Sequence, residues 1–332
     1  MLSLGIAVGL LAGVLPNVAD LSAVWRVVRG LEIGQIAVLV LLAAWNIATY
    51  QFVMMSALPG LPWRQAFMVG QISTAVANTI PAGGAIGVGV TYAMFSSYGF
   101  SATEIGLAAA LTGLWNTFVK LGLPIVALGI VAVTGDAHPA LLSTALIGVA
   151  ILVAAVTLLA VVSASDRLAV GIGERLGAVA SRLAGPVRRG PFVDWGRRFR
   201  DFRVRASGLL ARRWMWLTLT TVLSHGSLFV LLLVSLRMLG VPGTAVTWPE
   251  ALAAFALVRL VTALPITPGG LGVVELGMTA ALVLAGGTQT AVVAAVLVFR
   301  VLSYLAQVPI GLVCWIIWRA APPTPSTPPT AA

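Results

Sequence analysis

Four ionisable residues lie inside long apolar runs of this chain: Lys120, Arg259, Glu275 and Arg300. A charged side chain at the centre of a bilayer costs at least ~2.5–3.5 kcal/mol, so such groups turn inward and find partners. Here three cations face one carboxylate, and the surplus positive charge calls for an anionic ligand. Arg259 and Glu275 each stand eight residues from Thr267, which gives them like depth on the two arms of a symmetric hairpin. Arg300 shares a helical face with Ser303, Tyr304 and Gln307, while Thr112, Asn116 and Lys120 form a stripe at every fourth position. Lys120 is the only lysine. An Arg259–Glu275 pair that merely fixes helix packing is the competing reading.

Shortly after Arg259 comes "LPITPGGLGVVE", residues 264–275, with two prolines and three glycines. A half-helix starting at Gly269, Gly270 and Gly272 would aim unpaired amides and the positive end of its dipole into the hairpin mouth. Backbone without Cβ lets a phosphate approach closely. The same holds from Gly83 and Gly84 to Gly87. Neither stretch is a P-loop or a dinucleotide fingerprint, since no strand precedes it and the P-loop lysine and hydroxyl are missing.

The elements that hold these residues follow from composition. Of 332 residues, 59% are hydrophobic and only 9% are charged, and the mean hydropathy is +1.03. A soluble domain would carry roughly a quarter charged residues. Several uncharged runs reach the ~20 residues that cross a bilayer as helix. The fold class is therefore an all-α polytopic membrane protein, with about six full spans at residues 2–18, 35–58, 103–133, 139–163, 214–237 and 288–318. Two further apolar regions, 66–98 and 248–286, are broken by Pro-Gly clusters. Their arms of roughly 14 to 18 residues are short for a ~30 Å core, so they read as re-entrant hairpins. The chain divides into a first transmembrane half (1–163), a basic segment (164–213), a second half (214–319) and a Pro-rich tail (320–332) expected to be disordered.

The net charge of +10 is concentrated in the basic segment, which holds twelve arginines between Asp166 and Arg213. Arginine gathered in one loop marks the cytoplasmic side and speaks for anionic lipid rather than nucleic acid. Trp195, Phe199 and Phe202 recur there at helical spacing, as in a segment lying in the headgroup layer. Counting spans from this loop puts both termini in the cytoplasm of a cell (plasma) membrane and makes the two hairpins enter from opposite faces. "NTIPAGGAIGVGV" (78–90) set against "TALPITPGGLGVVE" (262–275) supports an inverted repeat.

The Pro-Gly-Gly-Leu-Gly-x-x-Glu element, preceded by Arg259 and followed by Arg300 and Tyr304, resembles the signature of the lysylphosphatidylglycerol synthase transmembrane-region family. "ANTIPAGGA" resembles that family's first-half motif, and the likeness covers nearly the whole chain. The resemblance implies lipid flipping and roles for Arg259, Pro268, Gly269, Gly270, Gly272, Glu275 and Arg300, with Asn78, Pro81, Gly83 and Gly84 in the first half. No soluble synthase domain is evident, so aminoacyl transfer is not expected. Members often carry a basic residue just after the first Gly-Gly; here Lys120 is the candidate substitute.

His138 and His225 are scattered and Cys314 is the single cysteine, which gives no metal spacing, no cofactor motif and no nucleophile with a base. His225 reads as part of a polar helix face. The expected function is thus non-enzymatic: a flippase-like translocase of an anionic or aminoacylated phospholipid or a polyprenyl-linked lipid. The alternatives are a membrane partner of a separate glycosyltransferase or lipid synthase and a secondary transporter of a small anionic solute. Oligomeric state is left open. Single cysteines placed at Arg198 and Gly135 should react with impermeant reagents from opposite sides of the membrane; labelling from one side would sink the opposed-hairpin topology.

Overall fold

A computed structural model of the chain describes residues 21–80, 83–134, 195–262 and 270–320, with scattered positions between 150 and 178. The expected spans at 2–18 and 139–163, the first part of the basic segment and the Pro-rich tail lie outside the described residues. Every described element is helical. In chain order they are α1 (Leu21–Arg29), α2 (Ile33–Ala57), α3 (Trp63–Thr79), α4 (Gly83–Ser97), α5 (Ala102–Thr134), α6 (Trp195–Met238), α7 (Trp248–Val261), α8 (Val273–Leu284), α9 (Gln289–Arg300), a π-helical turn (Val301–Leu305) and α10 (Gln307–Ala320). Four helical stretches are long and apolar enough to cross a membrane: Ile33–Ala57, Ala102–Val131, Arg200–Met238 and Gln289–Ala320. They match the four expected spans whose residues are described.

The two broken regions are hairpins. In the first, α3 stops where Pro81 follows: Ile80 takes extended backbone (φ −108°, ψ 140°) because a residue before proline is excluded from the helical region. Arms of 17 and 15 residues correspond to about 25 and 22 Å. In the second, α7 begins with a capping box in which Glu250 accepts bonds from the amide and hydroxyl of Thr247 at 2.8 and 2.7 Å. It ends before Pro265, which removes the amide that Val261 would need. Arms of 14 and 12 residues give about 21 and 18 Å. Neither pair of arms spans a ~30 Å core.

Packing between the halves is reciprocal. The first arm of the first hairpin, α3, packs along α10, which follows the second hairpin. The first arm of the second hairpin, α7, packs along α5, which follows the first. The helices that precede the hairpins, α2 and α6, pack on each other through the most extensive contact of the fold. That exchange is what two structurally related halves produce. A buried polar seam fixes the α2–α6 register: Asn46 donates to the Ser224 carbonyl (3.1 Å) and to Ser227 Oγ (2.8 Å), and Thr49 Oγ1 lies 3.1 Å from Ser227 Oγ. Since lipid is as apolar as leucine, such bonds and close packing take the part the hydrophobic effect plays in water.

Two cores result. One gathers Leu231, Leu236, Phe255, Met278, Leu282 and Val296 around the second hairpin. The other gathers Leu61, Ile72, Phe95, Leu107, Leu111 and Trp115 around the first. Outward apolar side chains such as Leu41, Trp45, Val222, Val230, Leu312 and Ile316 are exposed, as a lipid-facing surface requires.

One expectation is corrected. The basic residues 195–213 do not form a separate interfacial segment, because α6 runs as 44 residues of helix from Trp195 into the span without a break. Phe202, Leu209 and Leu210 pack against the core of the first hairpin. No helix breaker stands between Arg213 and Trp214, so the helix has no reason to stop there.

At Gly311 of α10 a Cβ would collide with the Gln71 carbonyl oxygen and with Ala75 Cβ of α3. Gly311→Ala should therefore cost about 1–3 kcal/mol, as overpacking does. Gly89→Ala, where a Cβ meets open space, should leave thermal unfolding in detergent unchanged. Equal midpoints for the two variants would show that the α3–α10 contact is looser than described.

Candidate functional site

The second hairpin turns back into α8 through glycines that no other residue replaces without strain. Gly270 (φ +69°) and Gly272 (φ +80°) both lie in the left-handed region. Three residues into the turn, Glu275 folds back and accepts the Gly272 amide through Oε2 at 2.7 Å. Its other oxygen, Oε1, takes Arg300 Nε at 2.6 Å. Glu275 is only 4% exposed, so its charge is held by the helix start, by the dipole and by one guanidinium together.

Arg300 is placed by the π-helical turn that follows it. Pro309 has no amide to give the Leu305 carbonyl, and its ring would strike that carbonyl in a regular helix. The ladder widens instead, with the Ala306 amide reaching back to the Val301 carbonyl at 2.8 Å. Such turns recur at functional sites because they re-aim side chains. Here the widening brings the Tyr304 ring beneath Arg300, with the guanidinium carbon 4.4 Å from the ring centroid. The Tyr304 hydroxyl donates to the Asn78 carbonyl at 2.9 Å, and Asn78 Nδ2 returns a 3.4 Å bond to the Tyr304 carbonyl. Both hairpins are thereby tied to one helix.

These groups surround a cavity of about 610 Å³ between the two cores. Its walls include Asn78, Gly83, Gly84, Asn116, Lys120, Arg259, Gly270, Arg300 and Tyr304, all expected from the sequence. Gly272 and Glu275 stand behind Arg300 rather than in the wall. Pro81, Pro268 and Gly269 lie outside the described residues. The two glycines at the first hairpin differ in kind. A Cβ at Gly83 would meet the Ala77 carbonyl oxygen at 2.5 Å, which makes Gly83 a packing residue, whereas Gly84 has open space beside it.

Two expectations change on contact with the geometry. Glu275 pairs with Arg300, so the Arg259–Glu275 packing pair of the competing reading is not formed. The Gly272 amide is also occupied by Glu275 instead of being held for a ligand. Arg259 points elsewhere: its Nη2 lies 3.3 Å from His225 Nε2. His225 Nδ1 lies 3.0 Å from the Thr221 carbonyl. A carbonyl can only accept, so Nδ1 carries the proton and Nε2 offers its lone pair to the arginine. Arg259 shares the cavity wall with Lys120, Arg300 and Tyr50. His225, Tyr50, Asn46 and Gln71 were not singled out by sequence as wall residues. Only the polar clustering of Thr221, Ser224, His225 and Ser227 on one face of an apolar helix hinted at them.

A second chamber of about 380 Å³ adjoins the first and shares Tyr50, Thr74, Ala77, Gly84, Asn116, Ser224 and His225 with it. Its remaining wall is mostly apolar, with Val53, Met54, Val69, Val88, Phe95 and Ile105 among the residues. No cluster of three His, Cys, Asp or Glu side chains occurs among the described residues. What gathers here is a set of donors and cations, suited to holding an anion.

An all-α polytopic membrane protein with two broken helical hairpins beside a charged cavity is the class these observations define. The chain belongs to the lysylphosphatidylglycerol synthase TM region family, whose model matches residues 1–311. Curated proteins give no match to it.

Arg300→Ala should lower stability by about 3–5 kcal/mol, because it strands a buried carboxylate. Glu275→Gln keeps an acceptor for the Gly272 amide and should cost clearly less. Thermal unfolding of the two variants in one detergent measures the difference, and equal losses would mean that the pair does not hold the turn.

Proposed function

We propose that the chain is a translocase-like membrane protein that handles an anionic or aminoacylated phospholipid or a polyprenyl-linked lipid. Its family belongs to membrane lipid metabolism, which supports a lipid over a soluble substrate. The observation that carries the reading is the cavity in which Lys120, Arg259 and Arg300 share a wall, while the one carboxylate near it among the described residues is already bonded to Arg300. The apolar chamber beside it suits a ligand with a chain more than a small anionic solute. A protein serving only as scaffold for a glycosyltransferase or lipid synthase has no use for such a space, although a separate enzyme of that kind would supply the lipid. On this reading the protein performs no covalent chemistry. It sits in the cell membrane with both termini and the arginine-rich start of α6 on the cytoplasmic side.

The test is a headgroup-resolved leaflet assay in proteoliposomes. Arg300→Lys retains the charge but loses the planar fork that grips a phosphate while stacking on Tyr304. It should fold normally and translocate lipid at about a tenth of the parent rate or less, the loss expected for one charge-assisted contact. Parent-rate translocation by both Arg300→Lys and Glu275→Gln would place the substrate site elsewhere.

A further inference from the structure

The charges around the cavity fall into two unlike groups. Arg300 is matched by Glu275 at 2.6 Å. Arg259 and Lys120 line the same chamber and have no carboxylate beside them: no Asp or Glu lines either chamber among the described residues. The undescribed hairpin turns, 81–82 and 263–269, contain no acidic residue either. His225 does not add charge, since its Nε2 must keep a lone pair to receive Arg259. Arg259 Nε is buried with no hydrogen-bond partner, which is costly for a cationic donor unless a ligand satisfies it. Among the described residues, two positive charges without a carboxylate therefore line the polar chamber, next to Asn116 and His225, which both chambers share.

We infer that the ligand carries a dianionic phosphate, a phosphomonoester or a diphosphate, on a long apolar chain. The phosphate sits between Lys120 and Arg259, and the chain runs into the apolar chamber. This rests on the lipid-handling reading above and narrows it. A phosphodiester brings one negative charge and leaves one cation unmatched. An aminoacylated headgroup brings further positive charge into a site whose one carboxylate is engaged. A phosphomonoester carries about −1.5 to −2 at neutral pH and matches the surplus. His225 serves as a positioning residue that turns Arg259 toward the junction.

Binding to the purified chain in detergent decides the matter, measured at about pH 7, where a monoester carries about −1.5 to −2. The probes are dodecyl phosphate, its methyl diester, dodecanol and inorganic phosphate. Dodecyl phosphate should bind at least about tenfold more tightly than the diester, the worth of one further charge-assisted contact. Dodecanol, which has the chain without the charge, should bind more weakly than either ester. Lys120→Met and Arg259→Gln should each abolish the monoester preference. Inorganic phosphate should bind at least about tenfold more weakly than dodecyl phosphate, since it has no apolar chain to bury. Equal affinity for monoester and diester would overturn the charge assignment and leave lipid translocation in proteoliposomes as a separate finding. Inorganic phosphate binding as tightly as the alkyl ester would assign the site to a free anion. If Arg259→Gln does not fold, Lys120→Met alone is decisive, and an unchanged preference in it overturns the proposal.

Discussion

A single carboxylate organises this protein. Glu275 caps the start of α8, and by doing so fixes the glycine turn that lets the second hairpin reverse inside the membrane. The same group holds Arg300, Arg300 lies over Tyr304, and Tyr304 grips the tip of the first hairpin at Asn78. Irregular backbone at membrane depth survives only where its polar groups are satisfied by protein or by a wet cavity. One short relay of side chains meets that demand for both hairpins. The cost of burying Glu275 is thus balanced by several partners at once, which is how a charge becomes tolerable in such a place.

Around the relay, the two halves exchange their long helices, so that each hairpin leans on the helix that follows the other. Neither half completes its own core. The cavity opens where the two cores meet, and that position gives it walls of two kinds: donors and cations from several helices, and mostly apolar surface beside the first hairpin. An amphiphile needs both kinds of wall. A solute or a purely structural contact needs at most one.

Much of this was legible in the sequence because charge is so scarce. In a chain with 9% charged residues, each ionisable group inside an apolar run announces a contact, and Lys120, Arg259, Glu275 and Arg300 all take part. The breaks were legible for a similar reason, since proline and glycine act locally and leave a mark at their own positions. What the sequence withheld was azimuth. Equal spacing of Arg259 and Glu275 from Thr267 speaks to depth, but not to which way each side chain turns about its helix. The partner of Glu275 came instead from α9, made available by a widened turn that depends on Pro309. His225 was hidden because its role needs Arg259, which lies 34 residues away on another helix. The basic segment misled for the opposite reason: its change of composition at Trp214 looks like a boundary, but composition does not stop a helix.

Helix α6 touches both hairpins. At its amino-terminal part Phe202 and Leu209 rest on the core of the first hairpin. Further along, Ser224 and Ser227 are stitched to α2, and one residue past Ser224 His225 holds Arg259 of the second hairpin. The α2–α6 pair is therefore the common spine of the fold, and a substitution that shifts it disturbs the seating of both hairpins at once.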